Sequence, residues 1–122
     1  MAYKHNTVEY GFGQMGSVFN NTVSAITPPT GKVFVAITFL VDTTLNTTNG
    51  LVADNHSTEG IEYAGTGTAA HDVTVDSETS VSGGGGKAIV TATIFPKGLT
   101  IYGRWTKITT VTSGQYIAYI GD

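Results

Sequence analysis

The sequence predicts an all-β fold: eight or nine short antiparallel strands packed as a jelly-roll-like β-sandwich, with no substantial helix. Three observations carry this. Threonine (21 residues) and glycine (16) are abundant, which suits polar-faced strands joined by many turns. Apolar residues fall in runs of β-branched and aromatic side chains bounded by Gly, Pro and Asn, with no sustained helical period. Only 12% of residues are charged, about half the usual share. Such a surface suits a chain packed against neighbours, where charges would be costly to desolvate.

The length of 122 residues allows one domain with its own core. Residues 1–13 read as an N-terminal arm or short strand, and residues 14–122 as a single sandwich domain. Thr7-Val-Glu-Tyr10 could be extended. Gly11-Phe-Gly-Gln-Met-Gly16 has G-x-G-x-x-G spacing, but Ser17 to Ile26 follows it, which is poor helix and good strand material. A dinucleotide fingerprint requires a helix there.

Thr27-Pro-Pro-Thr-Gly31 predicts a turn. The run from Lys32 to Asp42 is apolar at Val33, Val35, Ile37, Phe39 and Val41, and largely apolar at Phe34, Ala36 and Leu40 as well. A strand apolar on both faces is expected at the centre of a sheet, covered on both sides. Asn49-Gly50 predicts a hairpin turn. Ile61–Tyr63 and Asp72–Val75 read as short strands, and Gly65–Gly67 and Gly83–Gly86 as loops. Lys87–Phe95 reads as a strand with Ala88, Val90, Ala92 and Ile94 on one face.

Residues 98–122 predict a closing β-hairpin, two β-rich arms around Ser113-Gly114. In the first arm Leu99, Ile101 and Trp105 share a face. The next apolar residue is Ile108, one place out of step, so a β-bulge is expected near Thr106 and Lys107. In the second arm Tyr116, Ala118 and Ile120 line one face, and Ile117 and Tyr119 the other.

Charge is unevenly placed. Residues 42–86 carry seven acidic residues and no Lys or Arg, whereas residues 1–41 carry net +1 and residues 87–122 net +3. An acidic outer surface and a mildly basic docking face would produce this pattern. Net negative charge and sparse Lys/Arg disfavour nucleic acid. No apolar run is long enough for a membrane span, and Met1-Ala-Tyr-Lys-His-Asn has no apolar core, so no secretory signal is expected. The absence of cysteine excludes disulfides and thiolate metal sites.

Catalytic signals are weak. His56 with Glu59, and His71 with Asp72, lack a second ligand at metal spacing, and Asp72, Asp76 and Glu78 do not form an EF-hand. The expectation is no enzyme, no metal, no cofactor and no small-molecule substrate. Tyr102, Trp105, Tyr116 and Tyr119 form an aromatic cluster that could anchor a protein interface or stack on sugars.

Three stretches carry a resemblance: Tyr10-Gly-Phe-Gly-Gln-Met-Gly-Ser-Val-Phe19, Ile26-Thr-Pro-Pro-Thr-Gly-Lys-Val-Phe-Val-Ala-Ile-Thr-Phe39, and Phe95-Pro-Lys-Gly-Leu-Thr-Ile-Tyr-Gly-Arg-Trp-Thr106 with Ile117-Ala-Tyr-Ile120. Together, about half the chain resembles small virion structural proteins of tailed, marine bacteriophages, above all capsid decoration (cement) proteins. The resemblance implies a β-rich homotrimer, made in the host cytoplasm, that binds the major capsid protein on the outer shell and stabilises it. Tyr3, Lys4, Tyr10, Phe12, Arg104, Trp105 and Lys107 are the expected interface residues. The alternative is a tail-fibre or receptor- or carbohydrate-binding virion module.

Overall fold

The computed structural model describes residues 15–54, 63–66, 88–112 and 114–122. Seven strands lie among them: β1 (Ser17–Asn20), β2 (Val33–Phe39), β3 (Thr43–Thr44), β4 (Leu51–Ala53), β5 (Ile94–Phe95), β6 (Thr100–Ile108) and β7 (Tyr116–Gly121). The described residues contain no helix. Five strands form one antiparallel sheet in the order β1-β7-β2-β6-β4, and β3 pairs with β5 in a separate two-stranded ribbon.

β2 is the central strand, as its apolar sequence predicts. Its face assignment differs from strict alternation. Its register with β7 shifts between Phe34 and Ala36, leaving Val35 as an extra residue. Phe34 therefore shares the inner face with Ile37 and Phe39, while Val33, Ala36 and Thr38 lie on the outer face. The predicted bulge in β6 is present: Leu51 pairs with Ile108 and Val52 with Lys107, but Ala53 pairs with Trp105, so Thr106 is the extra residue.

The closing hairpin does not form. β6 and β7 each pair antiparallel with β2, which lies between them, so they run parallel to one another. Residues 109–112 and 114–115 instead cross back along the inner face. Asn46 N–H donates to the Thr109 carbonyl at 3.0 Å, Val111 N–H to Thr44 at 3.2 Å, and Leu40 N–H to Gln115 at 2.8 Å. The β-rich arms pair with the most apolar strand in preference to each other. Gly114 seats this crossover, because a Cβ there would meet Thr43 Cγ2 at 2.5 Å.

Two other local expectations are corrected. A turn forms at residues 47–49, yet β3 and β4 on either side of it join different sheets, so Asn49-Gly50 closes no hairpin. The run 88–95 is not one strand. Thr93 N–H donates to Val90 O at 2.9 Å in a turn, held by Thr91 N–H donating to Thr47 Oγ1 at 2.9 Å. Ile94 is consequently 61% exposed, while Ile89 packs on the core and Phe95 enters it. The readings at Ile61, Glu62 and 72–75 lie outside the described residues.

The core fills the space between the sheet's inner face and the ribbon. Phe34, Ile37, Trp105, Ile108 and Tyr116 come from the sheet, and Leu45 and Phe95 from the covering segments. Phe95 stacks on Phe39 with ring centroids 4.9 Å apart. Each such side chain contributes about 1.5–3 kcal/mol by leaving water.

Candidate functional site

Strand pairing defines a second, outer face of the sheet. One row across it reads Ser17, Tyr119, Ala36 and Tyr102, and the next reads Phe19, Ile117, Thr38 and Thr100. The Thr38 and Thr100 hydroxyls bond each other at 2.8 Å. Tyr102 is 63% exposed and Phe19 56%. Tyr102 and Tyr119 both have partners within the chain, and Ala36 between them is buried.

The bulge at Thr106 gives this face its charge. Arg104 and Lys107 are three apart and would point to opposite sides of a regular strand. With one extra residue between them both lie on the outer face, on either side of the inward-pointing Trp105. The Arg104 guanidinium is fixed by its surroundings: Nη1 donates to the main-chain oxygen of Asp122 at 2.7 Å, and Nε to Asp54 Oδ2 at 3.3 Å. Lys32 pairs with the Asp122 carboxylate nearby.

The expected aromatic cluster is divided between the two faces. Trp105 is 2% exposed, and its indole N–H donates to the Ala64 carbonyl at 2.7 Å. Tyr116 is fully buried, and its hydroxyl accepts from Asn20 Nδ2 at 2.9 Å. Burial pushes the Tyr116 phenol above its usual value of 10.0, and the Asn20 bond pulls more weakly the other way. Only Tyr102 and Tyr119 remain on the outer face. Of the expected interface residues, Arg104 and Lys107 lie together there, Trp105 packs the core between them, and Tyr3, Lys4, Tyr10 and Phe12 lie outside the described residues.

Among the described residues no group of three or more His, Asp or Glu side chains could hold a metal ion. His56, Glu59, His71, Asp72, Asp76 and Glu78 lie outside them. Gly16, the last glycine of the G-x-G-x-x-G spacing, leads into strand β1, so the helix that a dinucleotide site needs is not there. Sequence reasoning missed the structural role of Asn20. Its side chain ends β1 by accepting from Thr22 N–H at 3.1 Å and donating to Ser24 O at 3.2 Å, and Asn-x-Thr after a short apolar run was the available signal.

Comparisons with protein-family models, with curated proteins and with solved structures find no match.

Proposed function

We propose that this chain is a non-enzymatic capsid decoration (cement) protein of a tailed phage, docking on the major capsid protein of the outer shell as a homotrimer. The observation that carries this reading is the grouping of exposed Tyr102 with Arg104 and Lys107 on one sheet face of an otherwise acidic chain. Aromatic and Arg side chains are the usual anchors of a protein interface, and a basic rim orients an acidic body toward its partner. A sheet backed by a ribbon over its core supports treating the domain as a sandwich of the jelly-roll kind. A trimer repeats each modest contact, so total binding rises without a large interface per copy. The resemblance of three separate stretches to virion proteins points the same way.

The deciding experiment counts this chain in purified virions of its source phage by quantitative mass spectrometry. On the order of hundreds of copies, in step with the major capsid protein, is the expected result for a repeated shell contact. A handful of copies would move the chain to the tail or fibre, and absence would remove it from the virion. Removing residues 2–13 is expected to abolish capsid co-sedimentation while the domain stays folded. Tyr102→Ala with Lys107→Glu is expected to weaken it about tenfold or more, as loss of an interface anchor and reversal of a rim charge do.

A further inference from the structure

The two edges of the five-stranded sheet are unlike. At the β4 edge, Thr66 N–H donates to Leu51 O at 2.8 Å and Leu51 N–H donates to Thr66 Oγ1 at 2.8 Å, so a further segment covers the strand. At the β1 edge, Ile120 N–H donates to Gly16 O at 2.9 Å, and the antiparallel register places Val18 and Asn20 in the same bonding phase toward β7. Ser17 and Phe19 therefore direct their main-chain N–H and C=O groups away from the sheet, where no described strand lies.

Natural proteins protect such an edge with charge, proline or a bulge. β1 has none of these. No charged residue or histidine occurs between Glu9 and Lys32, and Lys32 is paired with Asp122. Exposed Phe19 adds apolar surface on the strand itself. The lack of charge also selects the occupant. Two copies of one chain bring identical charges together, and this chain carries net −3, so self-contact is favoured where the surface has no charge. A differently charged partner would be served better by a charged edge.

We propose that β1 pairs with β1 of a second copy about a two-fold axis through Val18. In this register Ser17 of each copy faces Phe19 of the other, about four main-chain hydrogen bonds form, and the two Val18 side chains meet at the end of the core. The register centred on Phe19 is poorer, because it sets Ser17 against Asn21, which has already left the strand. The contact is separate from the β6 side of the outer face. On a shell it would tie neighbouring decoration units together.

The test uses the full chain in the absence of capsids, so its outcome is independent of the capsid reading. The chain has no cysteine, so single substitutions act as unambiguous probes. Val18→Cys is expected to form an intermolecular disulfide under mild oxidation, because facing residues in a non-hydrogen-bonded pair have suitable Cβ separation. Ser17→Cys is expected not to, because its counterpart lies diagonally out of reach. Adding Phe19→Lys to Val18→Cys is expected to cut cross-linking about tenfold or more, with an unchanged circular dichroism spectrum, by placing like charges at the edge. No cross-link from Val18→Cys, equal cross-linking from Ser17→Cys, or full cross-linking in the presence of Phe19→Lys would each overturn the proposal.

Discussion

Trp105 shows how one side chain is held from several directions. Its indole N–H is satisfied by Ala64, and Gly103 lies so close beneath the ring that a Cβ there would meet Trp105 Cζ2 at 2.6 Å. Gly103→Ala should force the ring or β6 to shift and cost about 1–3 kcal/mol, measured by urea unfolding. Tyr116 gives a pH signature. Its phenol is held above 10.0 in the folded chain, so the unfolded chain releases that proton first. The stabilisation is complete below the unfolded value and is lost as pH rises through the folded one. Tyr116→Phe should flatten the loss of stability between about pH 9 and about pH 11 in thermal melts. The sequence contains the split between these aromatics: Trp105 shares a face with Ile101, and Tyr116 with Ala118 and Ile120, while Tyr102 and Tyr119 alternate to the other side. Periodicity assigns faces, but it does not say which face is buried when both carry aromatics.

At the scale of elements, the two register shifts differ in how visible they are. The bulge at Thr106 is legible because the apolar positions jump from Trp105 to Ile108 across polar Thr106 and Lys107. The slip at Val35 leaves no such trace, because the residues on either side are apolar whichever way they point. Deleting Thr106 should keep Lys107 outside and Ile108 in the core, because strict alternation from Trp105 then gives the same faces, and the expected result is a chain that stays folded by near-ultraviolet circular dichroism. The closing hairpin was misleading for a related reason. A Ser-Gly turn is a local signal, whereas the pairing of both arms with β2 is decided by long-range apolar burial. The basic pair of the candidate site inherits its legibility from the bulge: Arg104 and Lys107 can be placed together only once the extra residue is recognised.

At the scale of the whole molecule, protection should follow the sheet order. Amide exchange is expected to be slowest at Ile37 and Phe39 in the doubly paired β2, and fastest in β1 and in the two-residue β5. Uniform protection across all strands would contradict this ranking. The all-β antiparallel class was legible from composition and turn residues, because those set local geometry. Strand order was not, because it depends on which apolar runs meet in space.

That order has a consequence for how the chain is made. β7 lies between β1 and β2, the first two described strands along the chain, and neither can pair with β7 until residues 116–121 have emerged. During synthesis the nascent chain holds its most apolar strand without one of its two partners. A nascent chain stalled before Tyr116 should be protease-sensitive throughout, and resistance should arrive in a single step once Gly121 is free of the exit tunnel.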